Sequence, residues 1–154
     1  MDKCCCHNPC PPAPVPPESL NFYAQFGASN NSASGTYLDF FPVFQEGDGI
    51  QLENDTTILL APGYLYLINY LFLATPEANN YMQILPYING SPRLLYSFFA
   101  PAGAERNTSA SGSFTTNEAI SAEGRLSFRL TYSPGTRNID LTGAVSVTPL
   151  QKYS

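Results

Sequence analysis

The chain has 154 residues, of which 44% are hydrophobic and 12% charged, and 7 Lys and Arg against 12 Asp and Glu give a formal net charge of −5. This length suits one domain with a single buried core. The acidic balance and the lack of any Lys/Arg cluster argue against binding nucleic acid or an anionic membrane through a basic patch. No apolar run approaches the roughly 20 residues of a membrane-spanning helix, and no apolar segment follows the first residues. We therefore expect neither a transmembrane helix nor a signal peptide.

The N-terminal region differs in composition from the rest. It contains all the cysteines of the chain: Cys4, Cys5, Cys6 and Cys10. Six prolines lie between positions 9 and 17, and proline disfavours a helix and favours the extended polyproline II state. The sequence therefore predicts a short extended Cys/Pro-rich connector arm over 1–17, followed by one folded domain over 18–154.

Beyond the arm, short apolar runs alternate with Gly, Pro, Asn and Ser, which is the pattern of an all-β sandwich or barrel. The predicted strands are 20–27, 37–44, 49–52, 56–60, 64–75, 81–88, 94–99, 109–116, 125–132 and 141–148. The pair Asn89-Gly90 predicts a tight hairpin turn. Two segments rich in Ala, Ser, Gly and Asn are predicted to be exposed loops, 28–35 and 100–107.

The long strand predicted at 64–75 is apolar on both faces. Because alternate side chains of a strand point to opposite faces, one face carries Tyr64, Tyr66, Ile68, Tyr70 and Phe72. The other carries Leu65, Leu67, Asn69, Leu71 and Leu73. An antiparallel sheet of a monomer normally turns one polar face to water. We therefore predict that one face fills the core and that the tyrosine-bearing face is a subunit interface. The alternative is that another strand or loop of the same chain covers it.

Four runs of the domain carry a family resemblance. The run GIQL at 49–52 and the run TILLAPGYLYLINY at 57–70 resemble the I-x-L-x-x-x-G-x-Y-x-I-x-Y signature of TNF-like and complement-q-type globular heads. The runs GRLSFRL at 124–130 and LTGAVSVTPL at 141–150 resemble the last two strands of the C-terminal domain of BclA-type exosporium proteins. The resemblance implies an all-β, two-sheet antiparallel jelly-roll sandwich of about ten strands that assembles as a homotrimer.

The arm resembles a different feature, the N-terminal connector of bacterial endospore appendage (pilus-like fibre) subunits. BclA-type proteins have a collagen-like stalk at this place, which this chain lacks. The resemblance implies that the arm of one subunit docks into a neighbour and that Cys4, Cys5, Cys6 and Cys10 form intermolecular disulfides. Since the domain has no cysteine, these would join arm to arm. The implied location is the spore surface, outside the cell, and other spore-surface proteins are further candidate partners.

Other chemistry is weakly indicated. The cysteines and His7 could instead hold zinc, but adjacent cysteines rarely bind one ion together, so we predict no metal and no cofactor; a third possibility is that the cysteines have no role. His7 is the only histidine and lies in the arm, so the domain cannot build a Ser-His-Asp arrangement. Asp48 and Glu53 could do acid–base work, but solvated turn carboxylates are the favoured interpretation. We predict no catalytic residues and no enzymatic activity.

The predicted function is that of a structural subunit in a self-assembling, disulfide-crosslinked fibre of an endospore appendage or exosporium, built from jelly-roll trimers. The alternative is a trimeric receptor-binding or adhesin head, on a spore or a phage, whose loops such as 100–107 contact a glycan or a host surface.

Overall fold

The computed structural model describes residues 12–14, 20–133 and 137–153. The described residues from 20 onward form two antiparallel sheets with one 3-10 turn, at Leu94–Tyr96. The strands are β1 Tyr23–Ser32, β2 Thr36–Tyr37, β3 Phe40–Glu46, β4 Ile50–Asn54, β5 Thr57–Leu60, β6 Tyr64–Ala74, β7 Tyr81–Ile88, β8 Ser91–Pro92, β9 Phe98–Pro101, β10 Thr108–Thr115, β11 Gly124–Tyr132 and β12 Ile139–Lys152. No helix in the described part of the chain is long and apolar enough to cross a bilayer.

The strands form a sandwich. One sheet has five strands in the order β10-β6-β12-β1-β3. The other has seven, in the order β4-β5-β11-β7-β8, with β2 paired to β11 and β9 paired to β7. All pairings in both sheets are antiparallel. This is the predicted two-sheet jelly roll, with two very short strands, β2 and β8, added to the expected ten.

Strand alternation builds the core. Buried and half-buried side chains alternate along β7 and along nearly all of β11. The rings of Phe40, Tyr70 and Phe72, all from the five-stranded sheet, surround Phe128 of the seven-stranded sheet at centroid distances of 5.9, 5.3 and 5.7 Å. Edge-to-face aromatic contacts at such distances are favourable beyond the area they bury. Phe128 is therefore one of the side chains through which the two sheets pack together.

The predicted turn at Asn89-Gly90 is present. Both residues have positive φ, 52° and 74°, as a tight hairpin turn requires, and the turn joins β7 to β8.

Two local predictions were wrong. The segment 28–35 was expected to be an exposed loop, but β1 continues to Ser32, and both Ala28 and Ser32 are buried. The reason is tertiary, because pairing with the long strand β12 extends β1 through a polar stretch. The predicted strand 94–99 is a 3-10 turn followed by β9, which begins only at Phe98.

Candidate self-association surface

The tyrosine-bearing face of β6 points into the sandwich, so its prediction as a subunit interface was wrong. Tyr66, Ile68 and Phe72 are fully buried within the single chain, Tyr70 is 4% exposed, and Tyr64 is half-buried. The covering surface is the opposite sheet of the same chain. The alternative considered from the sequence, coverage by the same chain, is what the structure has.

Small residues on the neighbouring strands explain why large rings fit inside. Gly112 of β10 lies opposite Tyr70, and a Cβ at position 112 would be 2.5 to 2.7 Å from the Tyr70 ring. Gly143 of β12 lies opposite Phe72, and a Cβ there would be 2.1 Å from the carbonyl oxygen of Leu71. These two glycines leave the space that the aromatic side chains of β6 occupy.

The buried tyrosine hydroxyls have hydrogen-bond partners. Tyr66 donates to the carbonyl oxygen of Ala61 at 2.7 Å, and Tyr70 donates to that of Tyr96 at 2.7 Å. Burial raises the pKa of Tyr66 well above its usual value, and nearby Tyr64 adds to the rise. Burial likewise raises the pKa of Tyr70 to about 12. Both groups are therefore neutral structural donors at physiological pH.

The opposite face of β6 is the one left open. Leu71 is 50% and Leu73 is 54% exposed. Further apolar side chains continue this surface across β12, β1 and β3. We call the whole outer side of the five-stranded sheet the sheet face; its apolar members are Leu65, Leu67, Leu71, Leu73, Ala144, Tyr23, Phe41, Val43 and Phe44. At its β3 end, the Phe41 ring covers Gly27, and a Cβ on Gly27 would lie 2.6 Å from it.

Charge is absent from the middle of the sheet face. The outward positions of β10 are Ser109, Ser111, Ser113 and Thr115, and those of β12 after its first residues are Thr142, Ala144, Ser146 and Thr148. Charged residues occur only at the ends of the strands, at Asp140, Glu46 and Lys152. An apolar centre depleted of charge with a polar rim is the composition of protein–protein interfaces.

A second exposed apolar surface lies at one side of the sandwich, on the 3-10 turn and β9. We call it the edge surface; it consists of Leu94, Leu95, Phe98 and Phe99. Leu95 is 89% exposed. The Phe99 ring stacks on that of Tyr81 at 4.7 Å.

The edge surface is held firmly from inside. The hydrogen bond from Tyr70 ends on the Tyr96 carbonyl, the Tyr96 ring stacks on Phe114 at 4.6 Å, and the Tyr96 hydroxyl bonds Asn117 Oδ1 at 2.5 Å. The leucines therefore project from an ordered turn. The sequence predicted a strand here and did not indicate this surface.

Other predicted site residues are placed as follows. The cysteines, Cys4, Cys5, Cys6 and Cys10, lie outside the described residues, as does His7. Glu53 is engaged by Arg125, whose Nη2 donates to Glu53 Oε1 at 2.8 Å, whereas Asp48 is exposed in a turn. Within the segment 100–107, Ala100 and Ala102 are buried. Only its later part is a surface loop.

Comparisons with known proteins support the fold. No family model and no curated protein matches the sequence. Among solved structures, the chain is similar to PRD1 vertex protein P5, with a TM-score of 0.55, 14% identity and coverage of 86% of this chain and 99% of that one. It is similar to murine APRIL, with a TM-score of 0.54, 14% identity and coverage of 81% and 98%. The globular domain of zebrafish complement 1qA is more distant, at a TM-score of 0.44 and 12% identity, with coverage of 84% and 98%. At these identities the likeness concerns the fold, and the chain has a two-sheet, TNF-like jelly roll.

Proposed function

We propose that this protein is a self-assembling structural subunit whose jelly-roll domain forms a homotrimer through the sheet face and the edge surface. The observation that carries the proposal is the half-exposed sheet face, whose centre is free of charge. A second copy is the occupant that fits best, because the chain itself carries another exposed apolar surface, the edge surface, to place against it. The trimer is also what the resemblance to TNF-like heads implies.

A closed trimer requires two different surfaces on each copy. In a ring of three, every contact joins one patch to a different patch of the next copy, whereas a twofold dimer joins a patch to itself. The sheet face and the edge surface lie on different sides of the sandwich, since one is on β6, β12, β1 and β3 and the other on the 3-10 turn and β9. This pair of surfaces suits a ring.

The energetics require both surfaces. Five side chains of the sheet face are about half exposed: Leu71, Leu73, Phe41, Val43 and Phe44. Burying the rest of each contributes roughly 1 kcal/mol, or roughly 5 kcal/mol together. That is close to the low end of the association cost, about 4 to 15 kcal/mol. The edge surface adds a similar amount, so a contact that buries both surfaces contributes roughly 10 kcal/mol, well above the low end of that cost, where the sheet face alone is marginal.

The finer proposal is that such trimers form a disulfide-crosslinked fibre of an endospore appendage or exosporium on the spore surface. Its support is the resemblance of the arm to appendage connectors. The arm of one trimer docks into the next, and Cys4, Cys5, Cys6 and Cys10 crosslink arms by disulfides. Oxidation outside the cell sets these bonds, because thiols stay reduced in the cytoplasm. Further spore-surface proteins are additional partners.

The interface is tested with a matched pair of leucine substitutions in the full-length protein under reducing conditions. Leu71→Asp places a charge at the centre of the sheet face. Leu59→Asp places it on the outer side of the seven-stranded sheet, opposite Arg125 and away from β9. We expect Leu71→Asp to be a folded monomer in sedimentation velocity, because an unpaired charge is costly to bury, and Leu59→Asp to keep the wild-type mass. Equal masses for the two variants, whether monomeric or assembled, contradict the proposed interface.

The fibre is tested by electrophoresis of assembled protein. Ladders of crosslinked species are expected to survive boiling in detergent and to collapse on addition of a thiol reductant. A variant with serine at all four cysteine positions is the control and is expected to give no ladder. A ladder that survives the reductant, or that the serine variant also forms, contradicts disulfide crosslinking.

The second candidate is a receptor-binding or adhesin head, supported by the likeness of the fold to PRD1 vertex protein P5. Deletion of 1–17 separates the two functions. A head retains binding to a glycan or host surface without the arm, whereas a fibre subunit without it yields trimers and no polymer.

A further inference from the structure

One row of the sheet face is polar across four strands. The row consists of Ser113 of β10, Asn69 of β6, Ser146 of β12 and Gln25 of β1. Each is directly paired with the next: Ser113 with Asn69, Asn69 with Ser146, and Ser146 with Gln25. We call it the polar row. Apolar side chains border it, with Leu71 and Ala144 on one side and Leu67 on the other.

The polar row is only loosely satisfied within one chain. Asn69 Nδ2 donates to Ser146 Oγ at 3.5 Å, and the Tyr23 hydroxyl donates to Gln25 Oε1 at 3.4 Å. Both distances are at the long limit of hydrogen bonding. Among the described residues, Asn69 Oδ1 and Gln25 Nε2 have no hydrogen-bond partner. Asn69 therefore keeps a free acceptor, and Gln25 keeps free donors, on the outer side of the sheet.

A shallow cavity of about 250 Å³ lies over the polar row. Its lining includes Tyr23, Gln25, Asn69, Leu71, Ala144 and Ser146. The cavity is large enough to take a side chain of another molecule and offers it both apolar walls and hydrogen-bonding groups. A neighbouring copy that covers the sheet face must therefore meet these polar groups.

We propose that the polar row fixes the register and copy number of the assembly, an inference that rests on the proposed trimer. In a purely apolar face, several sliding registers bury similar areas and have similar energies. When polar side chains are covered, every register that leaves them without partners is penalised. Only a register in which the next copy supplies a donor and an acceptor over Asn69 and Gln25 avoids the penalty. A single buried asparagine selects register and copy number in coiled coils in the same way, at a cost in stability.

The test is native mass spectrometry of the full-length protein in reducing buffer, comparing wild type with Asn69→Leu. Asn69 points outward, so its replacement does not enter the core. We expect wild type to give one species of three copies. Asn69→Leu is expected to associate roughly tenfold more tightly, because the amide at the centre of the row no longer has to be buried, and to give a mixture of copy numbers.

Further variants test whether the hydrogen-bonding groups of the polar row select the copy number, or whether added apolar area simply strengthens association. Asn69→Ser keeps a hydrogen-bonding group and is expected to restore one species. Gln25→Leu is expected to behave like Asn69→Leu. Gln51→Leu, on β4 at the edge of the other sheet farthest from β9, is expected to behave like wild type. A single three-copy species for both Asn69→Leu and Gln25→Leu overturns the inference and leaves the trimer standing. A monomeric wild type overturns the trimer itself and the inference with it.

Discussion

The buried hydroxyl of Tyr70 makes the free energy of unfolding of the domain fall as the pH rises in the alkaline range. The pKa of this buried group is raised to about 12, against an ordinary value near 10. Between these two values the unfolded chain ionises at Tyr70 while the folded chain keeps the proton. The stability contributed by neutral Tyr70 is therefore fully present below about pH 10 and is lost as the pH rises through about 12.

The Tyr70→Phe variant isolates this contribution. At pH 8 it lacks the hydrogen bond to the Tyr96 carbonyl, and we expect it to be about 1 kcal/mol less stable than wild type. At pH 11 the wild type loses about 1.4 kcal/mol through Tyr70 that the variant does not lose. The stability difference between the two proteins should therefore vanish or reverse at pH 11. All other titrating groups are common to both and cancel in the comparison.

Urea unfolding at pH 8 and pH 11, at one fixed protein concentration, measures this difference. Phe72→Leu serves as the control, because it perturbs the same core without removing an ionisable group, and its deficit relative to wild type should be equal at both pH values. If the deficit of Tyr70→Phe is also equal at both, the inward placement of a neutral Tyr70 is refuted.

Three further outcomes are expected. Gly143→Ala should lower the free energy of unfolding by about 3 kcal/mol or more, because its Cβ would lie 2.1 Å from a carbonyl oxygen of β6. Gly103→Ala, with open space around it, should unfold at nearly the wild-type urea concentration. Equal urea midpoints for the two variants contradict this. Arg125→Gln breaks a solvent-exposed ion pair with Glu53 and should leave the urea midpoint almost unchanged; a large drop contradicts this. Leu95→Asp should keep the thermal midpoint of the isolated copy yet weaken assembly in sedimentation; an unchanged wild-type mass contradicts an edge-surface contact.

Strand positions were predictable because their signals are local. Period-two alternation and turn residues such as Asn89-Gly90 placed the strand at 81–88 exactly where β7 lies and the strand at 64–75 within one residue of β6. Extended pairing is not a local property, and for this reason the stretch 28–32 of β1 was missed. Its small and polar side chains suit a loop, and only β12 makes it a strand.

The direction of β6 could not be decided from its own residues. Tyrosines and leucines are both apolar enough for either the core or an interface. The deciding residues, Gly112 and Gly143, lie 42 and 71 positions beyond Tyr70 and Phe72, respectively, and their significance depends on strand pairing. Once the strand pairing is known, the inner face of β6 is identified by its large aromatic side chains, which lie opposite glycines of the neighbouring strands. The prediction that β6 is apolar on both faces is confirmed, and the face that carries the leucines is the one exposed to solvent.

The most direct test of the account is the mass of the full-length wild-type protein in a thiol reductant, measured by sedimentation velocity at micromolar concentration. With disulfides removed, only noncovalent contacts can hold copies together. Burial of the sheet face predicts one species with three times the mass of the chain. A stable, nonaggregating single chain under these conditions contradicts it.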